Sequence, residues 1–262
     1  MKFLIEKDYD KVELSIILDL LRHNKYLHEY EIIEDIDVNK DYKDFVPIGR
    51  IPFVNKYFKT QYGIEQQNPI EIPACMCTPE FLKRDYSIVN SKSLPRKGKY
   101  FIKDVSVLKN FTFDGELEYF LFDEMFEPKQ YDFDCIIRID STHLYQVSES
   151  VNILSEWRVY IIRGEIENIA NYNGDVTLFP DIDLIKKADN LYKLQGDYPK
   201  SYSFDVMINA RGTSIVEVHT FSSLGLYCTV WGDNLLYAYA DAKDYILKHN
   251  TPIKELEVKY EK

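Results

Sequence analysis

Two runs near the carboxyl end alternate too regularly to be anything but paired strands. Phe204, Val206 and Ile208 alternate with Asp205, Met207 and Asn209, and Val216 and Val218 alternate with Ile215, Glu217 and His219. Between the runs lies Ala210-Arg211-Gly212, which reads as a three-residue hairpin loop closed by glycine in a left-handed conformation. Partners in an antiparallel pair keep a constant index sum, so this loop sets Asn209 against Thr213, Met207 against Ile215 and Asp205 against Glu217. Two carboxylates facing each other, with His219 on the same side, repel unless a positive charge lies between them. A divalent cation held by oxygens meets that requirement, while ordinary charges on a solvated strand face account for the same pattern.

The rest of the chain mixes both kinds of element. Residues 2–5 and 30–38 read as strands around an amphipathic helix over 11–30. Prolines 47 and 52 break the regularity of 45–54 and bring Gly49 into a turn. The proline-bearing stretch 61–79 reads as a connection, and Thr78-Pro79-Glu80 as the start of a helix through 89. Residues 99–105 alternate as a strand and 111–115 supply a turn. Extended segments follow at 135–139, 143–147, 157–162 and 165–171, the last two joined by a compact turn at Arg163-Gly164, and helices are expected over 181–192 and 235–249. The expectation is an α+β sheet protein.

Composition narrows the function classes. The 262 residues carry 32 Lys and Arg against 43 Asp and Glu, a net charge of −11, which disfavours a nucleic acid partner. Charges at Glu6, Lys7 and Asp8 argue against an export signal, and no apolar run approaches membrane length, so a cytoplasmic protein is expected. Cysteines 75, 77, 135 and 228 form no zinc-binding array and are expected reduced, with Cys75 and Cys77 read as small buried hydrophobes. Phosphate-cradling glycine motifs, nucleophile elbows and His-Glu-x-x-His are all missing from the sequence. Lys103 stands inside a strand with Phe101 and Val105 on its own face, where snorkelling at a sheet edge competes with a binding role. Arg158, in Trp157-Arg158-Val159-Tyr160, needs a carboxylate or phosphate partner. Arg84 reads by default as an exposed helix residue.

Taken in order, Ser155-Glu-Trp-Arg-Val-Tyr-Ile-Ile-Arg-Gly-Glu165, Ser203-Phe-Asp-Val-Met-Ile-Asn209 and Ile215-Val-Glu-Val-His-Thr-Phe-Ser-Ser-Leu-Gly-Leu-Tyr227 resemble the carboxyl-terminal half of the ATP-grasp superfamily. The similarity is closest to small families common in bacteriophages and bacteria. It extends more weakly to Val46-Pro-Ile-Gly-Arg-Ile-Pro-Phe-Val54, Phe81-Leu-Lys-Arg84 and Tyr100-Phe-Ile-Lys103. The resemblance implies an ATP-grasp fold, in which two α+β subdomains, a central one at 80–148 and a carboxyl-terminal one at 149–262, clamp a nucleotide and are preceded by a small α/β domain at 1–79. It implies ATP and magnesium as cofactors. Arg84, Lys103, Lys109, Glu149 and Glu156 are the implied nucleotide contacts, Asp205 and Glu217 the metal ligands, and Arg158 and His219 the catalytic pair. The implied activity joins a small-molecule or peptide carboxylate to an amine through an acylphosphate. One departure stands out, because His219 occupies the place where the family usually has Asn. An imidazole there is expected to touch phosphate or substrate, or to move metal preference toward manganese. Two rival readings remain, a metal-dependent nuclease built on Asp205, Glu217 and His219, and a nucleotide-binding protein without catalysis.

Overall fold

The computed structural model describes residues 1–65, 70–106, 112–118, 125–126, 137–228 and 231–250, with backbone alone at 116–118, 125–126 and 137–138. The first unit is a three-stranded parallel sheet of order β2-β1-β3, from β1 (Lys2–Glu6), β2 (Glu29–Ile33) and β3 (Phe45–Ile48). Helix α1 (Lys11–His23) connects the first two strands and is capped by Asp10, which accepts from the backbone N–H of Val12 and Glu13 at 2.9 and 3.2 Å. It is about two turns shorter than the expected 11–30. Asn24 ends it by donating both its backbone and its side-chain N–H to the Leu20 carbonyl.

The prolines mislead more seriously in the next element. Gly49 does turn the chain, but Pro52 sits in the first turn of a second helix, α2 (Ile51–Tyr62), where its missing N–H costs nothing. Gly63, at φ 71°, closes that helix in the left-handed conformation. The helix expected through residue 89 is instead a single turn, α3 (Pro79–Leu82). It stops where Lys83 adopts φ 47°, and the chain runs on as strand β4 (Tyr86–Asn90).

A four-stranded antiparallel sheet of order β4-β9-β5-β6 follows, using β5 (Lys97–Asp104), β6 (Thr112–Glu118) and β9 (Leu144–Glu149). The turn expected at 111–115 is thus largely strand, because β6 pairs along β5 from Thr112 opposite Lys103 to Glu118 opposite Lys97. Two short strands, β7 (Met125–Phe126) and β8 (Ile137–Arg138), pair separately. The expected strand at 135–139 begins, with Cys135, outside the described residues.

The last sheet, of order β11-β10-β12-β13, is antiparallel throughout and comprises β10 (Ser155–Ile162), β11 (Glu165–Gly174), β12 (Ser201–Asn209) and β13 (Gly212–Thr220). One face packs Trp157, Val159, Phe204 and Val206 against Leu184, Ile185 and Ala188 of α4 (Ile182–Lys193). Part of the opposite face joins α1, β1, β3 and α5 (Asn234–His249) in one core with Phe3, Ile5, Ile17, Tyr160 and Leu236. Burial of these side chains welds the amino-terminal sheet to the carboxyl-terminal one. No helix among the described residues is long and apolar enough to cross a membrane.

The β12–β13 hairpin departs from its expected geometry twice. The loop has two residues, since Asn209 pairs with Gly212, Ile208 with Thr213, Met207 with Ser214 and Val206 with Ile215. A β-bulge at Val216 then adds one residue, so Asp205 pairs with Glu217 after all, and Ser203 with His219. The two one-residue errors cancel beyond the bulge. The bulge also turns Ile215 onto the helix-packed face, fully buried beside Val206 and Val218, instead of leaving it with the carboxylates.

Gly174 at the end of β11 and Gly196 after α4 share φ 78°, but a Cβ on Gly174 would lie 2.4 Å from the Leu154 carbonyl oxygen while one on Gly196 meets nothing within 4 Å. Gly196→Ala therefore reports the backbone cost alone, about 1–2 kcal/mol. Gly174→Ala is expected to exceed it by at least about 1 kcal/mol in urea unfolding, the added cost of the displaced backbone.

Candidate functional site

The site begins with strand β10. Its alternation sends Trp157, Val159 and Ile161 toward α4 and Glu156 and Arg158 to the other face. Arg158 lies directly opposite Asp205 in register and binds it bidentately, Nε to Oδ1 and Nη2 to Oδ2, both at 2.6 Å. Both residues are buried, at 7% and 2% exposure. Burial alone would push the guanidinium pKa down, but the hydrogen bonds and charge of Asp205 outweigh it and raise it. Tyr172 and Tyr227 stack on one another with centroids 4.9 Å apart, and the guanidinium carbon lies 5.7 and 5.0 Å from their rings. Tyr172 reaches this position because it is the extra residue of a second bulge, where β11 slips against Glu156 and Trp157.

Glu217 meets two donors. The Lys103 ammonium arrives from β5 of the neighbouring sheet and hydrogen-bonds Oε2, and His219 Nε2 lies 2.8 Å from Oε1. His219 Nε2 is also 3.8 Å from Asp205 Oδ2. Burial would raise the Glu217 pKa, but His219 and Lys103 prevail and hold it well below the usual carboxylate range. Asp205, Glu217 and His219 each offer one ligand atom, all within 4.8 Å of one another. Two carboxylate oxygens and one imidazole nitrogen suit a hard or borderline divalent cation.

A cavity of about 550 Å³ opens on this cluster. Arg158, Tyr172, Asp205, Glu217 and His219 form one wall, Thr220, Ser222 and Ser223 another, and Ile51 of α2 and Tyr245 of α5 close it from the amino- and carboxyl-terminal elements. The loop leaving β13 is held from three directions. The Gly225 carbonyl accepts from the Tyr160 hydroxyl at 2.8 Å and from Arg158 Nη1 at 3.3 Å, the Tyr227 N–H donates to Tyr160 Oη at 2.9 Å, and the Leu226 N–H donates to Glu13 Oε1 at 2.7 Å.

Other residues singled out from sequence are placed differently. Glu149 is engaged bidentately by Arg211 at 2.6 and 2.7 Å, which holds its carboxyl below the ordinary range. Glu156 accepts from Asn173 Nδ2 at 2.6 Å, on the strand beside the cluster. Arg84, expected exposed, is half-buried and donates to the carbonyls of Ile215 and Leu82 at 2.8 and 3.2 Å; burial lowers its pKa to about 10. Lys109 lies outside the described residues. The structure thus brings Lys103, Arg158, Asp205, Glu217 and His219 together, and keeps Glu149 and Arg84 in separate contacts. Tyr160, Tyr172, Tyr227 and Glu13 escaped sequence reasoning, since no spacing links them. The aromatic surplus was the one available signal.

The family model described as "ATP-grasp domain, R2K clade family 2" matches residues 81–233, more than half of the chain, and the chain belongs to that family. Among solved structures it is similar to the ATP-grasp ligase PsnB complexed with minimal precursor, at 12% identity and a TM-score of 0.51, covering 92% of this chain and 98% of the other. It is also similar to a D-alanine–D-alanine ligase from Bacillus anthracis, at 12% identity and a TM-score of 0.47 over 98% and 99% of the two chains. A third is macrocyclase MdnC bound with precursor peptide MdnA from Microcystis aeruginosa MRC, at 11% identity and a TM-score of 0.44 over 95% and 100%. No curated protein matches the chain in sequence.

Removing one partner of the buried pair leaves a charge without compensation. Arg158→Met is expected to destabilise the fold by about 3–5 kcal/mol in urea unfolding. Adding Asp205→Leu to that variant should return roughly half of the loss or more, because the stranded carboxylate is removed with its partner.

Proposed function

We propose that the chain is an ATP-dependent ligase that joins a carboxylate to an amine. Family membership supports ATP as the nucleotide. The observation that carries the reading is the meeting of Lys103, from one sheet, with Glu217 and His219, from another, beside the Arg158–Asp205 pair on the wall of a cavity. Phosphoryl transfer asks for this combination, since its catalysis is mainly positioning and neutralisation of charge on the transferred group.

In this reading Asp205 and Glu217 hold magnesium, with His219 as a third ligand or a phosphate contact. The metal would screen the charge of the triphosphate. Lys103 binds phosphate. Arg158, fixed on one edge by Asp205, presents to the anion in the cavity the N–H groups that Asp205 and the Gly225 carbonyl leave over. Glu149 keeps its place as a ribose or adenine contact only where Arg211 yields part of its carboxylate, and Glu156, Arg84 and Lys109 remain nucleotide-side candidates. The substrate carboxylate attacks the γ-phosphorus and expels ADP; the amine then attacks the acyl carbon, expels phosphate and gives up a proton. The cavity seats the carboxylate and amine, a size suited to small molecules or short peptide segments. PsnB, which shares the fold, is a ligase complexed with a precursor, in keeping with such substrates. Residues 1–79, 80–148 and 149–262 serve as the substrate-side unit, the nucleotide-covering unit and the metal-bearing unit. The nuclease reading has less support, because the lysine that meets Glu217 stands on β5 and not on the carboxylate's own strand.

The test is incubation of the purified chain with ATP, magnesium and panels of amino acids and peptides. The expected result is ADP and phosphate release that depends on both a carboxylate and an amine, and a fall of at least about 100-fold in Glu217→Gln. ATP binding without turnover across the panels would favour the non-catalytic reading. Absence of both binding and turnover would sink the proposal.

A further inference from the structure

We infer that Lys103 makes this cleft selective for a metal–nucleotide complex over the bare metal ion, by occupying Glu217 until a phosphate draws its ammonium away. The inference rests on the metal and phosphate roles proposed above, and goes beyond them in assigning Lys103 a function toward the metal. Both Asp205 oxygens are engaged by Arg158, and both Glu217 oxygens by donors, Lys103 on one and His219 on the other. The two carboxylates already face two cations, Arg158 and Lys103. A divalent ion entering alone must displace the ammonium from Glu217, and it adds two positive charges beside Arg158 and Lys103. A polyphosphate removes both costs, since it offers Lys103 new oxygens and brings the missing negative charge.

The geometry allows that exchange with little movement of the backbone. Lys103 is anchored in β5 between Gln146 of β9 and Thr112 of β6, so its main chain is held on both sides. Its four-carbon stem can swing the ammonium from one acceptor to another, which a bidentate arginine would do less readily. Arg158 differs in this respect: it is locked to Asp205 through two parallel bonds and packed against two rings. One cation of the cluster is therefore fixed and the other exchangeable.

The test measures Mn²⁺ binding to the full chain without nucleotide, by electron paramagnetic resonance. Lys103→Met is expected to raise Mn²⁺ affinity by about tenfold or more, the scale of one partly screened charge contact. Lys103→Arg, which keeps a cation, should stay within about twofold of the parent, and adding Glu217→Gln to Lys103→Met should cancel the gain. An unchanged or weakened Mn²⁺ affinity in Lys103→Met overturns the inference. Should that variant fail to fold, Lys103→Gln reads the same quantity with the same two outcomes. Calorimetry of MgADP binding to the parent chain separates this inference from the reading beneath it. MgADP binding with no Mn²⁺ gain in the variant defeats the inference alone, whereas a Mn²⁺ gain with no MgADP binding defeats the nucleotide role and leaves the competition for Glu217 standing.

Discussion

The site is organised around the ion pair between Arg158 and Asp205, two side chains buried on facing strands and joined by two parallel hydrogen bonds. Neither charge is tolerable alone at that depth, so the sheet must keep β10 and β12 in the one register that sets them opposite. That register decides what else reaches the face. Glu217 follows from Asp205 across β13, Tyr172 from Arg158 across β11, and the Gly225 carbonyl takes one further N–H of the guanidinium.

Both outer strands carry a bulge next to this pair. The extra residue at Tyr172 turns an aromatic ring toward the guanidinium, and the one at Val216 lets Ile215 enter the core while Glu217 stays with the polar cluster. A regular four-stranded sheet would have to give up a core isoleucine or a site carboxylate. The bulges remove that conflict, at the price of local ladder hydrogen bonds near the cavity. The amino-terminal unit completes the arrangement from outside the sheet, since Glu13 of α1 fixes the loop after β13 and α5 packs between the two sheets.

Much of this architecture is legible in the sequence, and the failures have identifiable physical causes. Extended segments corresponding to β10, β11, β12 and β13 are legible, and the opposition of Asp205 and Glu217 emerges correctly though by two compensating errors. Helix α2 is obscured because proline reads as a breaker unless its place in the first turn is known. The strand after Lys83 is obscured because helix caps in the left-handed conformation by non-glycine residues leave no mark in composition. Within the site, charged residues announce themselves, since an Arg or Lys inside an apolar strand demands a partner. What sequence withholds is which partner: Glu149 meets Arg211, and Lys103 meets Glu217, across 62 and 114 residues of chain. Tyrosines 160, 172 and 227 look like ordinary core residues until the fold sets them around one guanidinium.

His219, which the resemblance sets where that superfamily usually has Asn, acquires a physical meaning from this geometry. An Asn side chain offers an oxygen that is always an acceptor, whereas His219 Nε2, 2.8 Å from Glu217 Oε1, either donates to that carboxylate or keeps a lone pair for a ligand, and never both at once. To ligate a metal it must stop donating to Glu217. In the proposed reading Lys103 faces the same choice, so the two groups that hold Glu217 are both groups that a metal displaces. Glu217 is then the residue on which metal, phosphate and protein compete, while Asp205, bound to Arg158 at both oxygens, supplies the fixed edge against which that competition takes place.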